Sequence, residues 1–411
     1  MRSHTPRAAT AGWAARVARA ATIAAAVVGL LPACTPSGPQ TFEKAAAEAT
    51  DSLVAQTGRL PVFLARVEWM LAKPDPNLPK RSIVLDPMLD TITGQQTETT
   101  LLLERRVTQR IGNNHPQFEF LPFVAANLAK SQYLLTGTIS RVSAEPGRPT
   151  VRLSLALVDI RSRLVVAQAS ALAREENLDS TPSRYYKDSP VLIKDKVVEG
   201  YAKTTQTAVG QRADPYYMER IGTATVISEA NTLYNAEKYS DALGQYKTAL
   251  ATPQGEQLRV QSGIYLSNIK LGRTAEAEQA FGRIVALGIA YNELGVKFLF
   301  QPGSVEFWSD PKISGAYGMW LRQIAAEAMT AGSCMAIVGH TSRSGPSAAN
   351  DALSLRRAAY VRQKLAAEKA ELGPRTRAEG MGFRQNIVGS GTDNSFDVLD
   401  RRVEFKIVPC A

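Results

Sequence analysis

The chain has 411 residues, 45% of them hydrophobic and 21% charged, which excludes a wholly disordered chain and a polytopic membrane protein and leaves room for two or three domains. Lys and Arg total 48 against 38 Asp and Glu, a formal +10 that taken alone invites a nucleic-acid or anionic-surface partner. Three cysteines are too few for a disulfide scaffold and too scattered for a zinc cage. Three histidines (His4, His115, His340) leave little material for metal or triad chemistry.

The N-terminus changes that arithmetic. Residues 1–33 hold Arg2, Arg7, Arg16 and Arg19 and no acid, and an apolar run at 20–31 is too short for a permanent span. The run ends in Leu31-Pro32-Ala33-Cys34, the pattern of a cleaved secretory signal. An ordinary signal with Cys34 as a bystander thiol fits these residues. A cysteine at the cut also resembles the lipobox of bacterial lipoproteins, which implies acylation of Cys34 as the mature N-terminus. Thr35 follows, not the aspartate associated with inner-membrane retention, so the resemblance implies the outer membrane, facing the periplasm. Two or more acyl chains suffice for stable anchoring. Cleavage removes four positive charges and no negative one, leaving 44 against 38, or +6. No run of five or six like charges carries that excess, so a nucleic-acid partner loses its support. Residues 34–40 then form a short lipidated tether.

Residues 41–57 have the Ala and charge content of a helix, and 81–86 read as a short strand ended by Pro87. Leu101, Leu102, Leu103, Val107 and Ile111 give an amphipathic helix over 97–111. Residues 118–123 and 132–142 read as strands, and 151–158 and 164–169 as a hairpin turning at 159–162. An α/β or α+β domain over 41–205 follows. Asp86, Gly94, Gly137 and Asp159, in this order of elements, resemble periplasmic domains of the curli-secretion-lipoprotein and TolB-N-terminal type. Thr93-Gly94 is a turn, since no phosphate-cradling glycine motif surrounds it.

Residues 222–290 have a different rhythm. Ala230, Tyr234, Tyr239, Ala242, Tyr246, Ala249 and Pro253, then Tyr265, Gly272, Ala277 and Phe281, resemble two tetratricopeptide repeats. Two repeats are fewer than independent stability needs, so this unit is expected to lean on its neighbours. It reads either as a docking groove for a periplasmic protein partner or as a helical spacer.

From 296 onward the order is β-α-β-α-β: an aromatic stretch at 296–308, a helix at 320–330, a strand at 334–340, a helix at 351–369 and a last strand at 400–410. Gly339-His340-Thr341, then Asn350, Leu353-Ser354 and Arg357, with Arg401-Arg402 in the last strand, resemble the C-terminal family of outer-membrane protein A (OmpA), which includes the peptidoglycan-associated lipoprotein. The whole is thus expected as an α+β multidomain chain: an N-terminal α/β sheet domain, central helical hairpins, and an OmpA-like domain over 296–411. The resemblance implies non-covalent binding of peptidoglycan through the diaminopimelate of its stem peptide, at Gly339, His340, Thr341, Ser342, Asn350, Leu353, Ser354, Arg357, Arg401 and Arg402.

That target is a zwitterion: its carboxylate suits a planar guanidinium and its ammonium suits a carboxylate. Arg357 leans toward the helix N-terminus and is expected to reach over the 341–350 loop, where a helix start near Asn350 and Asp351 adds positive potential. Ser354, Ala358, Val361 and Leu365 form the core stripe, with Arg357 at its edge. Ser342 stands where the family pattern has aspartate, so ammonium recognition weakens or moves, with Asp351 as a nearby candidate. Arg401 and Arg402 point to opposite faces, one flanking the ligand loop and the other in an ion pair; the sequence leaves open which is which. His340 is a strand-end hydrogen-bonding residue, not a catalytic base. No enzyme activity, cofactor or metal is expected. With Cys34 acylated in an oxidising periplasm, Cys334 and Cys410 are expected to pair, two buried thiols being the alternative. The functional expectation is an outer-membrane lipoprotein that links the membrane to the wall and presents a helical docking region. The alternative is a component of an envelope secretion or wall-synthesis machine that the C-terminal domain only locates.

Overall fold

A computed structural model describes residues 38–57, 80–142, 150–174, 178–387 and 400–410. The signal, Cys34 and its lipidation lie outside the described residues. In the first helix, α1 (Phe42–Thr57), Phe42, Ala45, Ala46, Ala49 and Leu53 recur on one buried face. Next come β1 (Arg81–Leu85), β2 (Leu89–Asp90), α2 (Glu98–Asn114), β3 (Phe118–Leu121), β4 (Tyr133–Val142), β5 (Thr150–Asp159) and β6 (Leu164–Arg174). α2 starts at a capping box in which the Thr97 and Thr100 side chains each accept the other residue's backbone N–H.

The strands form a mixed sheet in the order β3-β1-β4-β5-β6, with β2 beside β4. β1 runs parallel to β3 and β4, and β4, β5 and β6 are antiparallel. The β5–β6 turn is closed by Asp159, whose Oδ1 accepts from the Ser162 N–H at 2.7 Å and its hydroxyl at 2.8 Å. One face of this sheet packs under α1 and α2 through Leu53, Leu103, Val107, Leu135, Leu153 and Leu155.

The other face opens onto a larger core. Val84, Leu134, Ala156 and Val158 meet α3 (Lys196–Gln206) and a cluster of buried tyrosines, and the same core continues through four helices. These are α4 (Ile221–Asn235), α5 (Tyr239–Leu250), α6 (Leu258–Lys270) and α7 (Thr274–Tyr291). They form two hairpins in which Ala242 and Ala277, and Tyr246 and Phe281, are fully buried at matching positions. Gly263 lets α6 approach α5: a Cβ there would lie 2.3 Å from the Tyr246 ring. The hairpins share one core with both sheets, so they do lean on their neighbours.

The last part contains β7 (Leu294–Val296), α8 (Tyr317–Thr330), β8 (Cys334–Gly339), α9 (Ser347–Glu368), β9 (Thr376–Gly380) and β10 (Val403–Val408). The sheet order is β7-β10-β8-β9, with β8 and β9 parallel and β10 antiparallel to both neighbours. The chain is therefore α+β with two mixed sheets. Three details differ from the sequence reading. β9 is an additional strand: Thr-Arg-Ala-Glu-Gly lies at a polar sheet edge and shows no apolar alternation. The first strand closes at Val296, and most of the aromatic stretch folds as a loop. α9 begins at Ser347, four residues before the expected start, because Pro346 occupies its N-cap.

Two fastenings hold this sheet. Cys334 and Cys410 are disulfide-bonded, joining the start of β8 to the chain end across 76 residues. On the far side of β7 the 190–192 segment runs alongside, with Leu192 N donating to Gly295 O and Lys297 N to Pro190 O, both at 2.9 Å. Among the described residues no helix is long and apolar enough to cross a membrane.

Candidate functional site

Where β8 ends, the chain enters the 340–346 loop and then α9. Gly339 is needed there because a Cβ would lie 2.1 Å from the Ser354 carbonyl oxygen of α9. Ser354 ties the corner together: its hydroxyl donates to Asp351 O at 2.9 Å and accepts from Gly382 N at 2.9 Å. Thr341 N donates to Gly382 O at 2.9 Å. Asn350, in the first turn of α9, donates to Ser344 O at 2.7 Å and Pro346 O at 3.2 Å, so it shapes the loop.

The opposite wall is the 299–308 loop. Gln301-Pro302-Gly303-Ser304 makes the turn, Gly303 has φ +65°, and Gln301 N donates to Glu306 O at 2.9 Å. Phe298, Phe307, Tyr317 and Trp320 pack ring against ring beneath it, with Phe298 and Phe307 stacked at 5.2 Å and Tyr317 tilted against Trp320 at 4.8 Å. Between the two walls lies a cavity of about 520 Å³. Of the ten residues expected from sequence, Thr341, Ser342, Asn350, Leu353, Arg357 and Arg401 line it.

Arg357 is only 3% exposed, at the centre of the α9 face that also buries Ser354, Ala358, Val361 and Leu365. Its guanidinium lies 4.8 Å from the Phe300 ring centre, and its Nε and Nη2 donate to Ser304 O at 3.0 Å and Gln301 O at 3.1 Å. The side chain thus reaches the 301–304 loop, where the sequence reading aimed it over residues 341–350. It brings positive charge to the cavity wall and fixes the facing loop. Thr341 supplies a hydroxyl that is buried and has no partner among the described residues. Ser342 faces the cavity with its hydroxyl 3.3 Å from that of Ser344. No aspartate or glutamate is among the described residues that line the cavity. Asp351, the candidate substitute for an acid at Ser342, instead pairs with Arg384 at 2.5 Å and does not face the cavity.

The remaining expected residues build the corner. Gly339 and Ser354 hold the strand against the helix. His340 is 1% exposed, with Nε2 3.5 Å from Glu404 Oε2. The Arg402 guanidinium meets Glu404 Oε1 at 2.6 Å and donates to Gln385 O at 3.0 Å. Of the two arginines, Arg401 lines the cavity and Arg402 makes the ion pair with Glu404. Burial raises the Glu404 carboxyl, but the His340 hydrogen bond and Arg402 together outweigh it and hold the group at about 2. Burial lowers the His340 imidazole, against the facing Glu404 carboxylate, which raises it. His340 faces Glu404, and the Ser342 hydroxyl faces that of Ser344.

The lining also includes Phe300, Pro302, Trp308, Ile313 and the 344–346 turn, which the sequence reading did not single out. The signal for the loop was present as a Pro-Gly dipeptide between two aromatic pairs.

No family model matches this chain, and no curated protein matches it. Among solved structures, the peptidoglycan-associated lipoprotein of Burkholderia pseudomallei is similar at 24% identity over 28% of this chain and 89% of that one, with a TM-score of 0.23. A Xanthomonas campestris protein of the DUF330 family is similar at 14% identity over 41% of this chain and 94% of that one, with a TM-score of 0.18. Likeness on this scale leaves the cavity to be read from its own residues.

Proposed function

We propose that this chain is a non-enzymatic lipoprotein of the bacterial envelope that holds peptidoglycan through the cavity between the 299–308 loop and α9. The observation that carries the reading is the composition of that cavity: Arg357 and Arg401 with Thr341, Ser342 and Asn350, and no carboxylate among the described lining residues. Such a set favours a carboxylate, which takes charge from the guanidinium groups and a hydrogen bond from the Thr341 hydroxyl. In this reading the stem peptide is held mainly by its carboxylate end, since Ser342 gives its ammonium no anion. Acylated Cys34 would fix the chain to the outer membrane, the cavity would hold the wall, and the helical hairpins would remain available to a periplasmic protein.

Co-sedimentation with purified peptidoglycan tests this. Thr341→Val keeps the side-chain shape and removes a hydroxyl that has no partner among the described residues, so folding should be unchanged while binding weakens about five- to tenfold. Arg357→Lys should weaken it further, since a point charge cannot hold both Gln301 and Ser304. Binding unaffected by either variant would overturn the assignment.

A further inference from the structure

A second cavity of about 520 Å³ lies on the other side of the 299–313 segment, where the 90–97 turn, the 180–190 segment, α6 and α8 meet. Its floor is apolar and aromatic, built from Tyr265, Leu266, Tyr317 and Trp320. Its rim carries two of the large exposed hydrophobic side chains of the protein, Ile269 at 38% and Ile313 at 39%. Apolar groups left in water at the mouth of an apolar cleft mark a surface that gains by being covered.

The charges around it are unbalanced. Arg141, Lys187, Lys270, Lys297 and Lys312 line the cleft against Asp90 and Asp188. Both acids are occupied: Asp90 Oδ1 accepts from Ile92 N, Thr93 N and the Thr93 hydroxyl, and Asp188 Oδ2 takes Lys270 Nζ at 3.0 Å and the Tyr234 hydroxyl at 2.9 Å. Among the described residues no carboxylate lies within ion-pair distance of Lys187, Lys297 or Lys312.

Two side chains in the wall lack acceptors. The Lys297 ammonium carries three N–H donors and gives one, to Tyr186 O at 2.8 Å. Burial pulls this ammonium down to about 7, with Asp188 opposing it only through space. Gln95 is 1% exposed, and among the described residues neither its amide oxygen nor its amide nitrogen has a partner. A buried amide with no partner is costly, and its position in the cavity wall points to a polar group on a ligand.

We infer that this cleft binds an anionic amphiphile: one carboxylate or phosphate head taken by the Lys297, Lys312 and Gln95 side chains, and an aliphatic or aromatic body laid between Ile269 and the aromatic floor. The site is separate from the wall-binding cavity. Leu299 and Ile313 line both, so the test uses residues that line only the cleft.

The full-length protein is titrated by calorimetry with dodecanoate, dodecyl phosphate and dodecyltrimethylammonium, each below its micelle threshold. At least one anionic probe should saturate at one per chain, while the cationic probe shows no saturable binding. Whichever anion binds tighter names the head group. Ile269→Asp and Lys312→Glu should each weaken the anion at least tenfold with the melting temperature unchanged, whereas Thr341→Val, which leaves the 299–313 segment in place, should leave it unaltered. No saturation by either anion, equal binding of the cation, or affinity indifferent to both cleft variants would overturn the inference. Because the peptidoglycan readout depends on Thr341 and this one does not, the two assignments fail separately.

Discussion

Asp86, just after β1, and Glu404, on β10, are carboxylates set into the two sheets, yet one is pushed up to about 6 and the other held at about 2. Burial raises both. Asp86 is 6% exposed and receives one close neutral donor, the Tyr217 hydroxyl at 2.5 Å, while Arg259 acts on it only through space. Glu404 is met by the Arg402 guanidinium through Nε at 2.7 Å and Nη2 at 2.6 Å, and by His340. A neutral hydroxyl does not offset the desolvation of a carboxylate; a guanidinium does. The sheet beside the cavity between the 299–308 loop and α9 is therefore locked by charge at neutral pH, whereas the N-terminal core is more relaxed when Asp86 is protonated.

Arg402→Ala attacks the lock and has the largest expected effect. It leaves Glu404 in the sheet without its guanidinium and should destabilise the fold by about 3 kcal/mol, read from denaturant unfolding at pH 7. A loss below about 1 kcal/mol would show that solvent, not Arg402, carries the carboxylate. Reducing the Cys334–Cys410 bond removes a cross-link spanning 76 residues and should cost about 2–4 kcal/mol in the same assay.

Asp86→Asn probes the other side of the comparison and should raise stability. The folded-state pKa lies above the ordinary 3.8, so the contribution of Asp86 is fully present below about pH 4 and is lost as pH rises through 6. Asparagine does not titrate and still accepts from Tyr217. The variant should gain about 3 kcal/mol over wild type at pH 8, with the difference closing by pH 4. Glu404 runs the opposite way. Its pKa is depressed, so its contribution is present above about 4.5 and lost as pH falls through 2, and Glu404→Gln should be destabilising at pH 7 and converge with wild type in acid. Identical pH profiles for the two variants would remove the contrast. The smallest expected effect is that of Thr341→Val, which should change stability by less than about 0.5 kcal/mol because the hydroxyl has no partner among the described residues.

The sequence exposed the parts whose pattern is set by burial. β5 and β6 announce themselves by β-branched and apolar residues around Asp159, and α9 by the Ser354, Ala358, Val361, Leu365 stripe, all fully buried. β9 was hidden because an edge strand can be polar: Arg377 and Glu379 pair on its surface at 2.7 Å. The orientation of Arg357 was hidden for a different reason. A long cation near an apolar stripe is expected to snorkel outward, but here Phe300 and two loop carbonyls lie over it, and that loop is 53 residues away in sequence. The role of Arg402 followed only once Glu404 was seen beside it, since adjacent residues give the alternation but not which face meets an acid. The charge state of Asp86 was equally out of reach, because it depends on Tyr217, 131 residues further on.

The central claim, that the cavity between the 299–308 loop and α9 recognises a wall carboxylate, is tested most directly by calorimetric titration with soluble stem-peptide fragments, native and with their carboxylates amidated. The cavity chemistry predicts that amidation weakens binding at least tenfold and that Thr341→Val weakens the native fragment but not the amidated one. Equal affinity for the two fragments would contradict it.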